Sequence, residues 1–143
     1  MISILPAIAK DLLEIDSLLK NVWGDNSNIS FDQFIVAKDD IKLVGCVRIK
    51  KLSDDCLELA SLAIVEEYRG KRIGSKLIEE ILKKEKNRPI YLLCFADRKN
   101  FYINSGFSII DYKILPDILR SEYKRVFNIL QKQNKEIIAM IHV

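Results

Sequence analysis

The sequence predicts an α/β chain of the α+β kind, with a mixed, mostly antiparallel central sheet flanked by helices. Three observations predict it. Short strand-like runs fill much of the first half, and helix and strand alternate through the second. The run over 56–65, CLELASLAIV, is almost continuously apolar, as a central strand covered on both faces is. With 143 residues the chain is most simply one domain, 1–143, long enough to bury a sizeable core.

The elements follow in order. Residues 2–5 read as a short apolar strand ended by Pro6. Over 7–22, Ile8, Leu12, Ile15, Leu19 and Val22 recur at helical spacing, and the polar cluster at 24–28 ends that helix as a loop. Strands are expected at 34–37 and 41–51 around the turn 38–40, and a third at 56–65 after the turn 53–55. From Arg72 onward, Ile73, Leu77, Ile78, Ile81 and Leu82 form one helical face, which stops at Asn87-Arg88-Pro89. Residues 90–95 predict a strand, 99–104 a short helix, and 107–114 another strand. Pro116 opens a last amphipathic helix, and 136–143 predict the closing strand.

Composition narrows the function. Apolar residues make up 49% of the chain and charged ones 30%, which argues for an ordinary globule and against disorder. A net charge of +3, with acids interleaved among the bases, argues against a nucleic-acid partner. Cys46, Cys56 and Cys94 are scattered and odd in number, which points to reduced thiols and a cytoplasmic protein. Metal-ligand spacing is missing, and the single histidine is His142, so no metal is expected. Neither a signal peptide nor a membrane span is expected.

The segment over 68–75 carries the most chemistry. It reads Tyr68-Arg69-Gly70-Lys71-Arg72-Ile73-Gly74-Ser75, a glycine-bearing turn between a buried strand and an amphipathic helix. Glycine lets a backbone approach a ligand closely, and a helix start presents unpaired N–H groups. With Arg69, Lys71 and Arg72 beside it, this start suits a phosphate or pyrophosphate. The spacing fits neither a P-loop nor the dinucleotide fingerprint.

This turn resembles motif A of the GNAT N-acetyltransferases, whose pattern is Arg/Gln-x-x-Gly-x-Gly/Ala. Arg69 and Gly74 match its ends, Arg72 stands at the usual middle glycine, and Glu66 stands where a proline is common. The likeness extends to Leu62-Ala63-Ile64 before the turn and to NFYINSGF over 100–107, similar to the family's FYxxxGF segment. The resemblance implies an acetyl-CoA-dependent N-acetyltransferase working by direct attack in a ternary complex. It implies that the backbone of Leu62, Ala63 and Ile64 pairs with the pantetheine arm, with the Leu62 N–H on the thioester oxygen. Arg69, Gly70, Lys71, Arg72, Ile73, Gly74 and Ser75 would then hold the pyrophosphate.

Tyr102 matches the family tyrosine that protonates the departing thiolate; the alternative is a tyrosine packed in the core by its ring. Glu58 is the candidate base, acting through water. It stands alone as a carboxylate in an apolar strand, where desolvation raises a pKa. An ion pair with Arg48 or Lys50 is the alternative. A covalent route through Cys94 lacks a nearby histidine to activate it.

The tail, GFSIIDYKILPDIL followed by KEIIAM, resembles small bacterial enzymes of the N-acetylglutamate-synthase type. That resemblance implies an amino-acid acceptor, with Arg48, Lys50 or Arg98 available to its carboxylates. The expected partner is a small-molecule amine or amino acid, with no membrane; the apolar strand at 137–143 leaves a homodimer open. The alternatives are a non-catalytic acyl-CoA-binding sensor and an enzyme acting on protein amines.

Overall fold

Seven strands and four helices form in the computed structural model, which describes residues 1–143. Strands in hydrogen-bonded order run β1-β2-β3-β4-β5-β7-β6. They are β1 Ile2–Pro6, β2 Phe34–Asp39, β3 Lys42–Ser53, β4 Cys56–Ile64, β5 Ile90–Phe95, β6 Ser108–Ile110 and β7 Ile137–His142. The helices are α1 Leu12–Asn21, α2 Ile73–Lys84, α3 Lys99–Ile103 and α4 Asp117–Gln131. β4 runs parallel to β5, whereas β1·β2, β2·β3, β5·β7 and β6·β7 are antiparallel. The sheet is therefore mixed and mostly antiparallel, as the sequence predicts. None of the helices is long and apolar enough to cross a membrane.

The chain divides into two compact units. The first comprises Met1–Ile49 and Ala60–Lys86. Here β1 pairs with β2 from Ile2↔Asp39 to Pro6↔Ile35, and β2 with β3 from Phe34↔Arg48 to Asp39↔Lys42, with a register shift between Ala37 and Lys38. The core is built by Ile15, Leu18 and Leu19 of α1, Phe34 and Val36 of β2, Leu43 and Cys46 of β3, and Ala63 of β4. Each such large aliphatic side chain stabilises the fold by roughly 1.5–3 kcal/mol.

The helix expected over 7–22 is shorter at both ends. A 3-10 turn at Ala9–Asp11 precedes α1, because the Asp11 carboxylate accepts the Ile8 N–H at 2.9 Å and holds the entry in a tighter turn. Asp11 is buried and pairs with Lys38 at 2.9 Å.

The second unit comprises Lys50–Leu59 and Asn87–Val143. β4 meets β5 in two rungs, Leu57↔Ile90 and Glu58↔Tyr91. β7 lies between β5 and β6, pairing from Ile90↔His142 to Phe95↔Ile137 on one side and from Ser108↔Ile141 to Ile110↔Ala139 on the other. Cys56, Tyr91, Leu115, Leu119 and Ala139 form its core. The strand expected over 107–114 ends early. Asp111 accepts the Lys113 N–H at 2.9 Å, and this local bond diverts the chain into a 3-10 turn at Tyr112–Ile114.

Candidate active site

Within β4, in the first unit, Ser61 takes φ +61°. An L-residue reaches that left-handed conformation only at a cost, and in a strand it re-aims the neighbouring peptide groups. The Ser61 carbonyl accepts the buried Cys46 thiol at 3.4 Å. Because a trans peptide is planar, with its C=O and N–H opposed, the Leu62 N–H of the same peptide faces away from Cys46. Further on, the Val65 N–H donates to the Val44 carbonyl at 2.9 Å, and Arg69 Nε donates to the Ile64 carbonyl at 3.2 Å. Leu62 and Ile64 are half-buried, whereas the Ala63 side chain fills the core.

A 3-10 turn at Glu66–Tyr68 then leads to the glycine-bearing segment. Gly70 has φ +79°, and a Cβ there would meet no atom within 4 Å. Conformation rather than space therefore calls for glycine at that position. Arg72 immediately precedes α2 and has φ +63°, ψ +19°. It holds the left-handed backbone that a glycine would supply, which is why an arginine can stand where the family pattern has glycine. α2 begins with no side-chain cap and no acidic residue in its first turn. The N–H groups of Ile73, Gly74 and Ser75 thus open an uncompensated positive helix end.

The bases around that end are exposed, as Arg69, Lys71 and Arg72 all are. Lys71 and Lys42 each sit over the Tyr68 ring, at 5.3 and 5.5 Å from its centroid. Tyr68 in turn donates to Asp39 Oδ2 at 2.6 Å, a bond that holds the phenol above the usual tyrosine range. This bond ties the 3-10 turn to the end of β2.

The second unit carries Tyr102 and Glu58. Tyr102 is 9% exposed on α3, with its ring edge-on to Phe101 at 5.1 Å and to Phe107 at 6.1 Å. Its carbonyl accepts the Ser105 and Phe107 N–H groups. The chain then turns at Gly106, whose φ is +100° and where a Cβ would come within 2.9 Å of His142 Nε2. Burial pushes the Tyr102 phenol up to about 12; Cys94 adds to the rise and Arg98 opposes it. The phenol is therefore protonated at neutral pH, the form a proton donor needs. Glu58 Oε1 lies 3.7 Å from Lys50 Nζ, so the ion pair foreseen as an alternative is present.

One expectation from the sequence changes, and the case against a covalent route is strengthened. Arg48 is fully buried and bonded to Ser61, Gln33 and Asp25, so it is no arm for an acceptor carboxylate. Burial pushes the Cys94 thiol up to about 11, leaving it un-ionised and unsuited to a covalent route. The Arg48–Ser61 contact itself went unread in the sequence. Its signal was an arginine inside the apolar run VGCVRI and a serine inside LELASLAIV.

The sequence matches the pattern described as "Acetyltransferase (GNAT) domain" over residues 30–109. An uncharacterized N-acetyltransferase of Chlorobaculum tepidum is 29% identical over 86 residues, 58% of this chain; the chain spans about half of that relative, 54%. N-acetylglutamate synthase from Neisseria gonorrhoeae, solved with coenzyme A and N-acetyl-glutamate, matches 99% of this chain with 35% of its own, at TM-score 0.76 and 19% identity. A Mycobacterium tuberculosis protein solved with CoA matches 99% of this chain and 98% of its own, at TM-score 0.75 and 19% identity. The fold is shared along nearly the whole length, and the matched pattern takes in Ser61, the 68–75 turn, Glu58 and Tyr102: this chain belongs to the GNAT acetyltransferase family.

Proposed function

We propose that residues 1–143 act as one N-acetyltransferase domain that moves the acetyl group of acetyl-CoA to a primary amine, by direct attack in a ternary complex. The observation that carries this reading is the start of α2: uncapped, free of acids, entered through left-handed Gly70 and Arg72, and flanked by three exposed bases. That donor set fits a diphosphate.

In this scheme the N–H groups from Gly70 to Ser75, Ile73 and Gly74 among them, hold the pyrophosphate, and Arg69, Lys71 and Arg72 add charge. The backbone of Leu62, Ala63 and Ile64 pairs with the pantetheine arm, and the Leu62 N–H meets the thioester oxygen. Acetyl-CoA supplies an activated acyl carbon. Glu58, as carboxylate, removes a proton from the amine through water, while the C–N bond forms and the C–S bond breaks. Tyr102 gives its proton to the departing sulfur. No step calls on a metal.

A small molecule or amino acid is the acceptor in this reading. A fold likeness that spans nearly all of this chain, and about a third of a synthase solved with N-acetyl-glutamate, supports it. Of the cations considered for a carboxylate, Arg98 is exposed, whereas Lys50 is engaged with Glu58. Three free cysteines accord with the cytoplasm as its place.

The experiment is CoA release from acetyl-CoA, followed by chromatography, across amino acids, polyamines, aminoglycosides and peptides. Release dependent on one small-amine class is the expected result. Release on peptides alone would make this a protein acetyltransferase. Tight acetyl-CoA binding without release on any amine would make it a sensor.

A further inference from the structure

Arg48 has a side-chain exposure of 0%, yet it lies on β3 among apolar neighbours. A buried guanidinium is tolerated only where its donors are satisfied. Here Nε donates to Ser61 Oγ at 2.8 Å, Nη1 to Gln33 Oε1 at 3.0 Å, and Nη2 to the Asp25 carbonyl at 3.2 Å. The Asp25 carboxylate lies 3.3 Å from Nη2, and the Phe34 ring packs 5.5 Å from the guanidinium carbon. Ser61 Oγ also donates to the Asp25 carbonyl at 2.5 Å. One arginine therefore ties the loop after α1 and the entry to β2 to a single serine of β4.

That serine is the residue at φ +61°. Strained backbone of this kind persists only where its surroundings over-determine it. A glycine would adopt it freely, whereas a serine has to be held. The side chain of Ser61 is held by Arg48 and Asp25, and its carbonyl by Cys46. The Cys46 thiol, pushed up to about 12 by burial, stays a donor. The Cys46 bond holds the peptide that carries the Leu62 N–H, and the Arg48 and Asp25 bonds hold the side chain on the Cα at the edge of that peptide.

We propose that Arg48 is a positioning residue of the donor site: by clamping Ser61 it aims the Leu62 N–H at the place of the thioester oxygen. The proposal rests on the reading given under Proposed function. In it Arg48 touches neither substrate nor cofactor. It acts through Ser61, and it explains why a charge is buried beside the strained residue.

The test uses the full-length 15N-labelled chain, with acetyl-CoA and CoA as paired probes. CoA lacks the acyl oxygen, so the difference between the two isolates the Leu62 contact. In wild type the Leu62 amide proton moves downfield with acetyl-CoA and not with CoA. In R48M that specific shift is lost, and acetyl-CoA affinity falls about five- to tenfold, the worth of one hydrogen bond. CoA affinity stays within about twofold, because the phosphate site is untouched. Adding S61G to R48M restores the acetyl-specific shift, since glycine needs no clamp at this φ. Where R48M does not fold, R48K reads the same quantity, because an ammonium cannot span Ser61, Gln33 and Asp25 together. An unchanged acetyl-CoA preference in R48M or R48K, or a folded R48M/S61G with no recovery, would overturn the proposal while leaving the acetyltransferase reading intact. Wild-type protein that binds neither probe would remove that reading and this inference together.

Discussion

At position 72 an arginine takes φ +63°, ψ +19°, a conformation that glycine adopts without strain. The chain thereby keeps the turn geometry and gains a cation beside the α2 start. Tyr102 makes a different use of its surroundings. Its ring is packed against Phe101 and Phe107, so the packing foreseen as an alternative to catalysis is present. The same burial keeps its phenol protonated far above neutral pH, its value being pushed up to about 12. Packing and proton donation are therefore compatible in one residue. Y102F preserves the ring and removes the proton; kcat should fall roughly 100-fold, the low end of general-acid effects, since a thiolate leaves readily. The affinity for acetyl-CoA, read by calorimetry, should stay at the wild-type value. Because the phenol is raised, loss of its proton should not bend the kcat profile below pH about 10. Unaltered kcat in Y102F would remove it as the acid. The turn residues from Arg69 to Ser75 were legible in sequence because their pattern is local. The Arg48–Ser61 clamp was not, because its partners lie 13 and 36 residues apart along the chain.

The start of α1 shows the same limit among the elements. Apolar spacing locates Ile15 and Leu19 on the buried face but does not reveal that Asp11 caps the turn before them. For the Asp11 carboxyl, burial alone would raise the pKa. The Ile8 N–H and Lys38 outweigh that effect, and the net shift is downward. A depressed folded-state value means stability that is present above the unfolded value of 3.8 and lost as pH falls through the folded one. D11A should therefore cost about 2 kcal/mol near neutral pH, from a lost charged hydrogen bond and an orphaned Lys38. Urea unfolding at pH 7 and pH 3 measures it. The wild-type advantage should shrink at the lower pH, and a pH-independent gap would assign the effect to packing alone. β6 makes the same point, since Asp111 bonds two residues ahead and ends a strand that its apolar pattern would extend. Both differences arise from short side-chain-to-backbone bonds, which compete with regular structure and leave hydrophobic periodicity unchanged.

For the molecule as a whole, a net charge of +3 is too small to attract polyanions generally, so the local field at α2 has to do the selecting. This separates a specific diphosphate site from a merely basic surface and gives a test that needs no acceptor. A ligand at about 100 times its Kd adds about 2.7 kcal/mol to stability. For a chain of 143 residues that corresponds to a Tm rise of about 9 °C. CoA and acetyl-CoA should both produce it, because both carry the pyrophosphate. Replacing Gly74 in the first turn of α2 with leucine puts a side chain among the N–H donors. The unliganded variant should still melt cooperatively, and the ligand-induced rise should vanish. In wild type at 1 M salt the rise should shrink, since exposed Arg69, Lys71 and Arg72 are screened beyond about 3 Å. The helix N–H bonds are short-range and should retain part of it. A rise of equal size in G74L would place CoA elsewhere on the chain, and a rise abolished entirely by salt would mean that surface bases, not the helix start, hold the phosphates.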